Sequence, residues 1–348
     1  MRRLDSKKSA VIDLVEAAYG LPADESAWLE RVLEAALPVM GDAVFASGII
    51  YSQPPGARRA RVQIWKHVGA LGHMERAAQE YARQVSQDVE CVWLRTGTAN
   101  TLSQISRGSR KICQRFAAET GIAADALLLN ALEPDGRGAS VAVFLPVETR
   151  LTRRAGERWR KIGAHLNAGH RLWRAIASME GDPTPLPFGA EAVLDPSTFR
   201  VIDASGCSED SSPLEKLRDS ARRIDRARGQ LRKTDPDEAL DAWWALVRGR
   251  WTMLDWFDSD GRRFVLGIPN APELGDPRGL TEREHQVATY VALGESGKMI
   301  GYRLGISKAT VSNALDGAMR KLHVKTQPQL AEKMRGFARE LRDPADAT

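Results

Sequence analysis

Cysteine is scarce, with Cys91, Cys113 and Cys207 the only three in 348 residues. They are odd in number and widely separated, with no C-x-x-C pair or Cys/His cluster. Neither a disulfide framework nor a structural zinc site is indicated. Long apolar runs are missing as well: no stretch approaches the ~18 consecutive apolar residues that a membrane helix needs. The basic opening MRRLDSKKSA leads into no apolar core of the secretory type. A cytoplasmic chain with no membrane partner is expected. Phosphate-cradling glycine loops and nucleophile signatures are also absent. His165 and His170 stand five apart, off the i, i+4 spacing that serves a metal, and His67 and His73 straddle a turn. The expectation is therefore no enzyme, no metal and no cofactor, with ordinary structural or surface histidines. Cys113 lies near Arg107, Arg110, Lys111 and Arg115, but a reactive thiol needs a depressed pKa that sequence does not show. Charge of one sign is only mildly in excess, at +5, a value shared by many soluble proteins. What is present is a 43% hydrophobic content, ample for real cores, in a chain long enough for two or three domains.

The positive charge is unevenly placed. Residues 279–335 hold nine Lys and Arg against five Asp and Glu, a surplus of four and most of the chain's total. That concentration favours a polyanionic partner more than the overall value does. The local pattern in this stretch is helical. Thr281 followed by Glu284 reads as a capping box, and Val287, Ala288, Val291 and Ala292 recur on one face until Gly294 stops the helix. A short second helix carries Ile300 and Leu304 inward and ends at Gly305. Ser307 is placed to cap a third helix, in which Val311, Ala314, Leu315, Ala318 and Leu322 form a buried stripe. The opposite face offers Lys308, Ala309, Ser312, Asn313, Asp316 and Arg320. A short helix, a tight glycine turn and a helix with a polar outer face make the geometry that enters a major groove.

This segment resembles the DNA-binding domain of the LuxR/NarL-type transcriptional regulators. The match runs through Thr281, Arg283, Glu284, Gly294, Lys298, Ile300, Leu304, Ile306, Ser307, Thr310, Val311, Leu315, Lys321, Leu322 and Val324, about the last sixth of the chain. The resemblance implies that Lys308, Ser312, Asn313, Asp316 and Arg320 face the groove, while Lys298, Arg303, Lys321 and Lys325 position the domain on phosphates. Two departures stand out. Ser312 and Asp316 occupy positions that are usually basic in the family. Asp316 either accepts from cytosine N4 or points past the groove at some cost in affinity, and Asn313 can pair with adenine. Unlike response regulators of the same superfamily, the chain has no receiver-domain pattern, so control by aspartyl phosphorylation is not supported.

Upstream, helical spacing over residues 8–19 and around Trp28, Leu29, Val32, Leu33 and Leu37 precedes strands at 44–51 and 61–68, the second with Val62 and Ile64 alternating with Arg61, Gln63 and Trp65. Helices near 73–89 and 103–120, a short strand at 92–94, strands at 126–132 and 139–147, and a long helix over 152–179 follow. That element order is similar to a GAF-like sensory domain over 8–180. Its closing helix carries Trp159, Ile162, Leu166, Leu172 and Ile176, a stripe that can pair with a second subunit. A proline-rich linker at 181–190 leads to strands at 192–194 and 199–204, helices at 214–231 and 236–249, and a hairpin at 251–268. This is PAS-like in outline over 189–268, although a PAS core has one more strand. A Pro/Gly tether then leads to the helix-turn-helix over 279–338. The fold class expected is multi-domain α+β, with GAF-like and PAS-like regions before an all-α domain.

Trp65, Trp93, Trp243, Trp244, Trp251 and Trp256 lie in the two upstream regions, where core packing is the commoner use and a ligand cavity the rarer one. Basic runs at 150–161 and 216–233 read as solvated helix faces. Two functions follow. The first is a transcription factor that binds double-stranded DNA as a homodimer, responds to a small-molecule or protein signal and works with RNA polymerase. The second, motivated by Ser312 and Asp316, is a protein-interaction regulator that antagonises another regulator through a degenerate helix-turn-helix.

Overall fold

The computed structural model describes residues 2–3, 10–52, 60–69, 99–105, 114, 118, 124–132, 137–179, 184–205, 211–248, 251–269, 280–322 and 324–340. These form a mixed α/β body with two antiparallel sheets and a helical C-terminal region. The helix expected at 73–89, the strand at 92–94, most of the helix at 103–120, the Pro/Gly tether before the C-terminal domain, and Cys91, Cys113, Cys207 and Trp93 lie outside the described residues.

In the N-terminal part, a two-residue strand β1 (Arg2–Arg3) precedes α1 (Ala10–Ala18) and α2 (Glu25–Ala36). Asp24 caps α2 by accepting from the Ala27 amide at 2.7 Å, a bond worth about 1 kcal/mol at a helix start. Trp28, Leu29, Val32 and Leu33 then turn one apolar face wholly inward. Strands β2 (Phe45–Ser52) and β3 (Arg61–Gly69) form a hairpin. After them come β4 (Asn100–Thr101), α3 (Leu102–Ile105), β5 (Asp125–Leu132), β6 (Arg137–Leu145), β7 (Thr149–Arg150) and the long α4 (Arg153–Ser178). The main sheet runs β3-β2-β6-β5-β4, while β1 pairs in parallel with β7. A register shift between Ile50 and Tyr51 breaks the alternation of the edge strand β3: Ile64 pairs with Ile50 but Val62 with Tyr51, and Val62 is 41% exposed. At the other edge, buried Asp125 accepts from the Ser103 amide and hydroxyl and from the amides of Ala126 and Thr149. Four donors are what make a buried carboxylate tolerable.

The long helix α4 corrects the expectation of pairing through its stripe. Thr152 caps it, and Trp159, Ile162, Leu166 and Leu172 are indeed buried, but the chain itself covers them. Helix α1 lies so close that a Cβ on Gly169 would sit 2.0 Å from the Ala18 carbonyl oxygen. The face is spent inside the chain and is not open to a second subunit.

The central part holds β8 (Ala192–Leu194), β9 (Val201–Ala204), α5 (Ser211–Arg226, continued irregularly through Thr234), α6 (Pro236–Arg248), β10 (Trp251–Phe257) and β11 (Arg263–Pro269). Its sheet runs β10-β11-β8-β9. Asp195 makes the turn between β8 and β9 by accepting from the amides and hydroxyls of Ser197 and Thr198, which pull its pKa down to about 2. The two parts share one continuous hydrophobic core. Trp243 of α6 stacks on Tyr19, just past the end of α1, at 5.9 Å, and the Arg228 guanidinium bridges Glu16 and Asp255. Trp243 and Trp251 are buried, the packing role expected of most tryptophans here. Trp251 also donates to Glu191 at 2.6 Å.

Candidate nucleic-acid interface

Four helices make the C-terminal module: α7 (Glu282–Ala292), α8 (Gly297–Leu304), α9 (Lys308–Lys321) and α10 (Gln327–Glu340). Each of the first three starts where the sequence places a cap. Thr281 and Glu284 close a reciprocal capping box, with the Glu284 carboxylate accepting from the Thr281 amide at 2.8 Å. Ser296 accepts from the Met299 amide and Ser307 from the Thr310 amide. The turn between α8 and α9 depends on Gly305, whose φ of +66° lies in the left-handed region that side chains resist. Val287, Tyr290, Ile300, Val311 and Ala314 pack on one side of the module, and Leu280, Ala288, Ala318, Leu322, Leu330 and Met334 on the other.

This packing leaves one side of α9 facing outward. Lys308, Ala309, Thr310, Ser312, Asn313, Asp316 and Arg320 are exposed, while Val311, Ala314, Gly317 and Ala318 face in. Lys308, Arg320 and the exposed Lys325 make no ion pair among the described residues. The other expected phosphate contacts are engaged. Lys321 reaches Glu284 at 2.6 Å, and Lys298 reaches Glu157 of α4 at 3.3 Å. Both carboxyls are held below their usual pKa range: Glu157 chiefly by its bond to Lys298, and Glu284, against the opposing pull of burial, by Lys321 and Thr281. Arg303 requires a correction. Expected on the phosphate-facing side, its side chain is 4% exposed and locked to a similarly buried Glu295 at 2.9 Å, above the ring of Tyr290. A guanidinium so enclosed braces the α7–α8 corner and does not reach outward.

Residues 278–334 match the model of the bacterial regulatory proteins of the luxR family. The C-terminal module is a LuxR-family helix-turn-helix. Among curated proteins, the chain is 39% identical over 59 residues to the putative HTH-type transcriptional regulator YhjB of Escherichia coli K12. That stretch is 17% of this chain and 30% of YhjB. Of solved structures, the crystal structure of Escherichia coli SdiA aligns over 88% of this chain and 89% of that one, at 12% identity and a TM-score of 0.26, too loose a superposition to carry a structural argument.

The LuxR module does not stand apart from the rest of the chain. Helix α8 lies against α4 and α6, with Met299 and Tyr302 packed on Ala164. Leu293, in the α7–α8 turn, packs on Tyr51 and Leu132 at the main sheet. At the centre, His165 of α4 is wholly buried between two tyrosines. The Tyr19 hydroxyl meets its Nδ1 at 3.0 Å, and the Tyr302 hydroxyl meets its Nε2 at 2.8 Å. A neutral imidazole has one donor and one acceptor nitrogen, so one tyrosine donates and the other accepts. Burial, with Lys161 and Arg303 nearby, pushes the imidazole pKa down to about 3, and burial raises both tyrosines. Sequence reasoning treated His165 as an ordinary structural or surface histidine. Its partners lie 146 and 137 residues away, beyond any spacing rule.

Proposed function

We propose that this protein is a DNA-binding transcriptional regulator in which the N-terminal and central regions control the C-terminal LuxR module. The observation that carries the reading is the outward side of α9, where Lys308, Ser312, Asn313, Asp316 and Arg320 stand exposed on the helix that enters the major groove in this motif. Lys308, Arg320 and Lys325 supply the positive charge for phosphates, and Asn313 the amide that pairs bidentately with adenine. In this reading the upstream regions are GAF-like over 8–180 and PAS-like over 189–268, and the LuxR module spans 279–338. The sheet orders support it. In both sheets the first hairpin strand sits inside, between the second strand and the last one: β3-β2-β6-β5-β4 and β9-β8-β11-β10. The central sheet has one strand fewer, the shortfall already expected of a PAS-like outline. A homodimer on paired half-sites, a small-molecule or protein signal and contact with RNA polymerase complete the proposal.

The test is a mobility shift of the full chain against promoter fragments. Asn313→Ala is expected to change base preference, whereas Lys308→Ala weakens every sequence and lowers the salt slope by about one. If neither substitution alters binding, the role of α9 is wrong. The second reading, an antagonist that pairs with another regulator, draws on Asp316 standing among the exposed residues and on Arg303 being unavailable. It gains if the chain binds no duplex at low salt.

A further inference from the structure

Outside the LuxR module, cations gather where β1, β7 and the start of α4 meet. The parallel pairing of β1 with β7 sets Arg2 beside Thr149 and Arg3 beside Arg150, and Arg150 is exposed. Helix α4 then opens on Arg153, whose side chain is 93% exposed. Arg153, Glu157 and Arg160 follow at i, i+4 and i+7, so they share one side of the helix. Glu157 meets Arg153 at 3.7 Å and Lys298 of the docked module at 3.3 Å, and the charge of Arg160 acts on it as well. One carboxylate among three cations leaves a net positive charge. Asp237 and Asp241 of α6 are matched by Arg154, Arg158 and Lys161. Even with Glu148 just before β7, cations outnumber carboxylates across this corner.

The corner is continuous with the helix-turn-helix. In that motif the first helix, here α8, crosses the phosphate backbone, and Lys298 stands in its first turn. Lys298 and Arg153 flank one carboxylate, so their charges lie within roughly 10 Å, about three phosphate steps of ~3.4 Å along one strand. We propose that Arg150, Arg153 and Arg160 form a second phosphate-contacting surface, supplied by the N-terminal region, which holds the DNA backbone flanking the half-site that α9 reads. Continuity with Lys298 is what favours DNA over an acidic protein surface here, since a strand that meets Lys298 has its next phosphates within reach of Arg153. The inference deepens the DNA-binding reading and rests on it. Such contacts fix register and add affinity without reading sequence, and they offset the carboxylate of Asp316 on α9.

The experiment measures fluorescence anisotropy of the full chain with labelled duplexes of ~30 base pairs, long enough to extend beyond a half-site, in salt from about 50 to 200 mM. Wild type is compared with the double variant Arg153→Gln/Arg160→Gln, with Arg153→Lys, which keeps the charge, and with Arg222→Gln/Arg223→Gln, an equal loss of exposed cations on α5. The α4 double variant is expected to bind every duplex roughly five- to tenfold more weakly at about 50 mM salt and to lower the salt slope by about two, near 0.9 for each lost phosphate contact. The ranking of the duplexes should not change, and Arg153→Lys and the α5 pair should stay near wild type. Wild-type affinity and slope in the α4 double variant overturn the proposal, leave the DNA-binding reading intact and give the corner to an acidic protein surface instead. An equal loss in the α5 pair also overturns it, because overall charge and not this corner then sets the affinity. If none of the proteins binds a duplex, the DNA-binding reading fails and this inference falls with it.

Discussion

The two helices of the helix-turn-helix, α8 and α9, are of similar local design and opposite tertiary fate. Each begins at a serine cap and sends apolar residues into the module. Yet α9 keeps a polar side exposed, while α8 turns Met299 and Tyr302 into the N-terminal body and loses Arg303 to an internal ion pair. A helix-turn-helix signature therefore specifies the scaffold but not which of its cations are available.

The largest effect expected from breaking this contrast is at Arg303. Replacing it with alanine strands Glu295 without its buried partner, and removing one side of a buried pair typically costs about 3–5 kcal/mol. Denaturant unfolding should show the loss directly; a change under about 1 kcal/mol would mean the pair is solvated and Arg303 is free for phosphate after all. Next is the effect of acid on the dock. The folded pKa of His165 is depressed to about 3, below its unfolded value near 6.5, so the unfolded chain takes up the proton first. Stability from this group is full above about pH 6.5 and is lost as pH falls toward 3, by roughly 2 kcal/mol between pH 7 and 5. Thermal unfolding of wild type and His165→Gln over that range measures it; parallel pH slopes for the two proteins would remove His165 from the account. The smallest effect is expected on α9. Asp316→Asn takes a carboxylate off the exposed side and should strengthen binding to mixed-sequence DNA by a few-fold at low salt. If affinity falls and only cytosine-containing sites are lost, the carboxylate reads a base instead.

Much of the module was legible because its determinants are local. The capping box at Thr281 and Glu284, the cap at Ser307 and the left-handed Gly305 each involve residues within one turn of each other; the cap at Ser296 is equally local but was not anticipated. The longer strands of both sheets were legible for the same reason, as apolar runs beside turn residues such as Asp195, whereas the two-residue β4 (Asn100–Thr101) gave no such signal. Val62 misled because alternation does not reveal a bulge, and the register shift opposite Ile50 and Tyr51 puts Val62 and Ile64 on different faces. The stripe of α4 was identified correctly as apolar, but periodicity is silent on whether a neighbour in the same chain or a second copy covers it.

Sequence alone determined the kind of module at the C-terminus, the caps at Thr281 and Ser307, the stops at Gly294 and Gly305 and the polar side of α9, because capping, glycine geometry and the 3.6-residue period act over a few residues. Tertiary structure decided that Arg303 is buried, that Lys298 is bound to Glu157 and that His165 joins Tyr19 to Tyr302. Arg303 meets Glu295 across only eight residues, but within a packed corner; the other outcomes depend on which surfaces meet across more than a hundred residues of chain, and burial sets the availability of each charge.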